Sequence, residues 1–169
     1  MKRVAMALLA APILPSAVVA APMQLCRIKA NIVDPDPKGA NVRATPGGKI
    51  VATLKNTADW IEVTITGQSG DWYEISGALQ TDNDGPLGDH AIFHGKGYVH
   101  KSTVGLSGLM QGATIYADHD LKSRALITNA DGDQEAQLLG CWQDFYRVHL
   151  QKGTGWTKTV CLNEHTTCA

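Results

Sequence analysis

One strand pair is written twice in this chain. Gly70-Asp71-Trp72-Tyr73-Glu74-Ile75 and Gly97-Tyr98-Val99-His100-Lys101 are aromatic and β-branched runs, each opened by a glycine. Asp144-Phe145-Tyr146-Arg147-Val148 and Gly155-Trp156-Thr157-Lys158 repeat the pattern further on. Short runs of this composition, bounded by turn formers, read as strands. Beyond the first twenty residues no stretch shows the 3.6-residue period of an amphipathic helix. A supersecondary unit used twice implies an all-β chain of two small barrels in tandem.

The rest of the chain is consistent with strands and turns. Residues 25–30, 50–54 and 60–65 are β-prone, and Asp34-Pro35-Asp36-Pro37-Lys38-Gly39 is dense in turn formers. Val42 and Ala44 alternate with polar residues and lead into Pro46-Gly47.

In order along the chain stand Asn41-Val42-Arg43-x-x-Pro46-Gly47, Val51-x-x-Leu54, Gly70-x-Trp72-Tyr73-x-Ile75 and Gly97-Tyr98-Val99-His100. As a set, over residues 26–106, they resemble a bacterial SH3 domain. The resemblance implies an SH3-like barrel for residues 21–105. The departure is a long hairpin insertion at 76–94, where that family has a tight turn. Rich in Gly, Pro, Asn and Asp, it is expected to be a mobile surface loop.

Residues 106–169 read as a degenerate second copy, joined at Leu106-Ser107-Gly108. Thr114-Ile115-Tyr116-Ala117 takes the place of 41–44, and Leu126 that of Leu54. Ala136-Gln137-Leu138-Leu139 takes the place of Val63-Thr64-Ile65. Val42 to Leu54 spans 12 positions and Ile115 to Leu126 spans 11, so the copies keep step to within one residue.

The N-terminus has the three parts of a secretory signal. Met1-Lys2-Arg3 is followed by an apolar run over 4–19, and Val18-Val19-Ala20 offers small residues for cleavage after Ala20. Met23-Gln24-Leu25 lacks the small residue that lipidation at Cys26 would need. Removing Lys2 and Arg3 leaves 13 basic against 16 acidic residues, a net charge of −3. No basic face for nucleic acid is visible, and no run long enough to span a membrane remains. The expected location is periplasmic or secreted.

Four cysteines (Cys26, Cys141, Cys161 and Cys168) in an exported chain imply two disulfides. The strand order implied by the resemblance favours Cys141–Cys161, which leaves Cys26 for Cys168. Cys161–Cys168 stays open as an alternative.

Chemistry-bearing groups are sparse. Trp60, Trp72, Tyr73, Tyr98, Tyr116, Trp142, Tyr146 and Trp156 fall on or beside strands. Neighbours on a strand point to opposite faces, so one of Trp72 and Tyr73 packs the barrel while the other faces outward. An outward aromatic is a platform for peptide or sugar; an inward one fills the core. The candidate ligand contacts are Trp72, Tyr73, Tyr98, Tyr146 and Trp156, around a groove between the loop after Asn31, the insertion and the aromatic strand. His90, His94 and His100 lie on a loop and strand rather than a helix, and the short acidic clusters 118–120 and 131–133 read as turns. No metal or cofactor is therefore expected. Gly140-Cys141-Trp142 with His149 or His165 would make a dyad only if Cys141 were a free thiol.

Two functions stand. One is a non-catalytic module of the bacterial envelope that binds cell-wall peptide or an envelope protein, as the resemblance implies. The other is an interaction or inhibitor protein that docks on one partner through its insertion. An accessory role in cell-wall hydrolysis is a remote third. The N-terminal reading has a direct check: the intact mass of the native protein should correspond to a chain starting at Ala21.

Overall fold

The computed structural model describes residues 22–57, 60–82, 88–132, 134 and 136–162. The leader expected over residues 1–20, Cys168 and His165 lie outside them. The period-2 patterning becomes fourteen strands: β1 (Gln24–Ile32), β2 (Ala40–Arg43), β3 (Ile50–Leu54), β4 (Ile61–Ser69), β5 (Trp72–Gln80), β6 (His90–His100), β7 (Val104–Gly105), β8 (Gly108–Leu109), β9 (Ala113–Tyr116), β10 (Ala125–Ala130), β11 (Gln137–Trp142), β12 (Phe145–Leu150), β13 (Gly153–Thr157) and β14 (Val160–Cys161). The single helical element among the described residues is a 3-10 turn, Lys101–Thr103. No described helix is long and apolar enough to cross a membrane. The protein is all-β, as its sequence patterning requires.

Pairing makes a seven-stranded sheet in the order β3-β2-β6-β5-β4-β1-β7, a five-stranded sheet β10-β9-β13-β12-β11 and a pair β14-β8. Alternation along β4 buries Ile61, Val63 and Ile65 while Thr64 stays exposed. Val42, Leu54, Tyr73, Ile75 and Val99 join the same cluster. Side chains from opposite ends of one sheet can meet only if the sheet curls, so the seven strands form an incompletely closed barrel around this core. The cluster continues through Cys26 and Cys141 to Ile115, Leu138, Val148 and Leu150 of the five-stranded sheet. The core is therefore contiguous across both sheets.

The two strand orders correspond position for position. β3-β2-β6-β5-β4 maps on β10-β9-β13-β12-β11, and the β1–β7 pair maps on β8–β14. The register agrees as well. Ile75 faces Gly97 and Val148 faces Gly155. A Cβ at Gly97 would lie 2.3 Å from Val42 Cγ1, and one at Gly155 would lie 2.4 Å from Ile115 Cγ2. Both glycines exist because a β-branched side chain from the neighbouring strand occupies the same space. The turn between the paired strands also repeats: Gly70 has φ 54° and Gln143 has φ 50°.

Two sequence alignments shift by a residue or more. Ala40 faces Leu54, and Ala113 faces Ala130. Ala130, rather than Leu126, thus stands where Leu54 stands, and Leu126 is exposed like Val51. Register irregularities in β10 account for the slip. Leu138, paired with Val148, takes the place of Ile65, paired with Ile75.

The insertion at 76–94 is not a mobile loop along its length. Residues 76–80 and 90–94 extend β5 and β6, with Gly77 facing His94 and Gln80 facing His90. Its composition of turn formers concealed a continuation of the hairpin. Gln80 is fully buried; its amide donates to Trp60 O at 3.0 Å and to Asn56 Oδ1 at 3.1 Å. Thr81 is buried beside it and donates to Trp60 O at 3.0 Å. Only the tip, residues 83–87, lies outside the description.

The correspondence between the sheets is weakest at β1 and β8. β1 has nine residues and pairs with β4 along its length, whereas its counterpart β8 has two and pairs only with β14. The outer edge of β11 is therefore left to the N-terminal half. Cys26 of β1 is bonded to Cys141 of β11, with Cα atoms 5.7 Å apart. The Gln68 amide donates to Cys141 O at 3.1 Å and accepts from Cys141 N at 3.3 Å, as a strand residue would. Arg27 N donates to Gln143 O at 2.6 Å, and Gln143 N to Leu25 O at 2.9 Å. Asn31 donates to Ser107 Oγ and to Leu162 O, both at 2.8 Å, which ties the joint and the C-terminal strand to β1.

This bridge overturns the expected pairings Cys141–Cys161 and Cys26–Cys168. The expected argument brought Cys161 to the end of β11. The structure instead pairs Cys161 with Gly108 of β8 in the small two-stranded sheet, and Cys161 is disulfide-bonded in its own right. Non-reducing peptide mapping should recover a peptide joining Cys26 to Cys141. With a sequence separation of 115, replacing both cysteines by alanine should cost about 5 kcal/mol in the chain-entropy model, read as a drop in the urea midpoint.

Candidate functional site

Alternation sorts the five aromatic candidates. Tyr73 is fully buried, and Tyr98 and Tyr146 are nearly so. Trp72 and Trp156 are half-buried, with part of each ring at the surface. Tyr73 and Trp72 therefore take opposite faces, as strand geometry requires.

Each buried tyrosine has a structural task. Tyr146 lies at the joint between the halves and accepts a hydrogen bond from Lys29 N at 3.3 Å. Burial raises its hydroxyl pKa, offset in part by that bond. The Tyr98 hydroxyl donates to Glu74 Oε2 at 2.8 Å. Tyr73 fills the N-terminal core, with Lys101 Nζ 5.2 Å from its ring centroid. Burial pushes its hydroxyl well above the ordinary phenol range, and the oxygen has no hydrogen-bond partner among the described residues. None of the three offers free surface to a ligand.

The two tryptophans sit in charged, aromatic surroundings at separate places. The Arg43 guanidinium lies over Trp72 at 5.9 Å, and His100 meets that indole edge to face at 5.2 Å. Trp156 has Arg147 over it at 5.9 Å and His119 against it at 5.3 Å. His119 also packs on Trp142 at 4.5 Å between centroids, and its Nδ1 is 2.5 Å from Asp118 Oδ1. Trp142 is 38% exposed. Two indoles and an imidazole thus form one patch, with Asp144 paired to Lys158 nearby on the turn that opens β12.

Sequence reasoning singled out Trp156 but not its partners. His119 reads as part of an acidic turn, and nothing local says that the 117–124 loop folds over β13 and the end of β11. The register could have pointed to Arg147, because β12 pairs with β13 and sets it opposite Trp156.

The groove expected beside the loop after Asn31 is a small hollow of about 170 Å³. It is lined by Asp34, Pro35, Asp36, Pro37, Leu54 and Asn56, among others, and no aromatic residue reaches it. A larger open hollow of about 800 Å³ lies at the joint, lined by Leu106, Ser107, Gln134, Gln137 and His149 among others. Residues 133, 135 and 163–169, its neighbours in sequence, lie outside the description. Among the described residues no three His, Cys, Asp or Glu side chains converge as a metal site. The Cys141 sulfur is bonded to Cys26, so it is not a thiolate nucleophile in the oxidised protein.

Glu74 is the best-partnered carboxylate of this surface. Burial raises its pKa, but hydrogen bonds from Lys96, Tyr98 and Thr66 outweigh that and leave it below the ordinary value. A carboxylate depressed by folding stabilises the protein above its unfolded pKa and loses that contribution as pH falls through the folded one. Glu74→Gln should therefore lower the melting temperature at neutral pH, and the deficit should close as pH drops through the carboxylate range. Tyr73→Phe should do the opposite at all pH values below the phenol range. It removes an unsatisfied buried hydroxyl and leaves the ring, so stability in urea should rise by about 1–2 kcal/mol.

Comparison of the chain with known protein families, with curated proteins and with solved structures found no match.

Proposed function

We propose that this chain is a non-catalytic binding module of the bacterial envelope. In this reading two SH3-like barrels stand in tandem over residues 21–105 and 106–169, exported after removal of residues 1–20, and the ligand is cell-wall peptide. The observation that carries it is the partly exposed aromatic patch of Trp156, His119 and Trp142 with Arg147 above it. Rigid strands hold the two indoles, so they present contact area at little entropic cost, as recognition surfaces do. Support for the tandem organisation comes from the matched strand orders and from the paired glycines 97 and 155. Support for export comes from the N-terminal residue pattern together with the Cys26–Cys141 bridge, since such bonds persist in oxidising compartments.

The test is a pull-down on purified peptidoglycan sacculi. Wild-type protein should sediment with them, and Trp156→Ala should weaken sedimentation about thirtyfold while keeping cooperative unfolding. A hot-spot aromatic at an interface is worth about 2 kcal/mol or more. No sedimentation of the wild-type protein would reject the reading.

A further inference from the structure

We propose that Arg147, which lies over the Trp156 ring, receives a free carboxylate of the cell-wall peptide. The proposal rests on the binding role above and names the group recognised.

The internal repeat provides the comparison. In the N-terminal half one cross-strand row runs Arg43, Tyr98, Glu74. In the C-terminal half the same row runs Tyr116, Trp156, Arg147. The position of Glu74 is thus taken by Arg147, a reversal of charge at one place in the fold. Glu74 is closed on itself: Lys96 pairs with it, Tyr98 donates at 2.8 Å and Thr66 Oγ1 at 3.0 Å. Arg147 is exposed, and among the described residues no carboxylate lies within ion-pair distance of it. Its recorded partner is the Trp156 ring.

Lys101 adds a second cation. It comes from the 3-10 turn of the N-terminal half and is half-buried, with Nζ over the Tyr73 ring. Burial lowers its pKa, the charge of Asp71 acts against that, and the charge of Arg147 adds a smaller lowering. Lys101 has no ion pair at contact distance among the described residues either. An anion bound at Arg147 offsets the repulsion that Lys101 feels from it. This is a local feature of a chain whose expected mature charge is −3, not part of a general basic surface.

The chemistry favours a carboxylate over a phosphate. A guanidinium matches a planar carboxylate with two parallel hydrogen bonds. Protein phosphate sites add a cradle of backbone N–H groups or a helix N-terminus, whereas Arg147 and the two indoles are side chains on strands. The indoles of Trp156 and Trp142 offer the apolar surface on which the body of the same peptide would lie.

The experiment uses the full chain and two preparations of sacculi, one untreated and one with its free carboxylates converted to amides. Wild-type protein should bind the amidated sacculi about tenfold or more weakly, the size expected for a charge-assisted hydrogen bond. Arg147→Gln should weaken binding to untreated sacculi by a similar factor and be indifferent to amidation, because the lost partners are the same. Lys101→Gln should show a smaller loss in the same direction. Melting curves of the variants control for folding. Equal binding of wild-type protein to both preparations, or an equal fall on amidation for wild type and Arg147→Gln, overturns the carboxylate site and leaves the binding role standing. If wild-type protein binds neither preparation, that role fails. A soluble acidic tripeptide and its amide, titrated by tryptophan fluorescence, then decide the site alone: equal responses overturn it.

Discussion

The outer edge of β11 is the constraint on which the rest of this structure turns. A strand edge leaves N–H and C=O groups that must find partners where they are buried. In the N-terminal half the nine residues of β1 cover the matching edge of β4. In the C-terminal half the strand at the corresponding place, β8, has two residues and pairs with β14 instead. The gap is closed from outside. Gln68 offers its side-chain amide to both backbone groups of Cys141, and the Cys26–Cys141 bridge holds β1 alongside. Gln143 keeps a left-handed backbone that glycine holds in the other copy. That conformation costs about 1–2 kcal/mol for a residue with a Cβ, and its two backbone bonds to β1 offset it.

The consequence is mechanical as well as energetic. Small units bury too little surface to be robust alone, and the two sheets share one hydrophobic cluster.

The matched strand orders leave one frame carrying two different surfaces. Corresponding core positions are apolar or small in both sheets: Val42 and Ile115, Ile75 and Val148, Gly97 and Gly155. Those choices are dictated by space. The outward row is free of that demand, and there Glu74 with its three donors gives way to Arg147 on an indole. The two halves are therefore unequal surfaces on matched frames.

The residue order by itself determined the class of the fold and the positions of most strands. Alternation of apolar and polar residues is a local property, and β3 over 50–54 and the strands opened at Trp72 and Phe145 follow from it. It also determined that one of Trp72 and Tyr73 faces outward, because period 2 allows nothing else. It misjudged 76–94, where turn-forming residues sit on paired strands and buried Gln80 finds its partners in Trp60 and Asn56, some twenty residues upstream. Tertiary structure alone decided the disulfide, since whether Cys26 meets Cys141 depends on how two sheets abut, across 115 positions. It likewise decided the fate of Tyr98 and Tyr146, whose hydroxyls are taken up by Glu74 and by the Lys29 backbone. The patch of His119, Trp142 and Trp156 has the same origin: three rings from a loop and two strands meet only after the chain has closed, and no spacing along the sequence encodes that meeting.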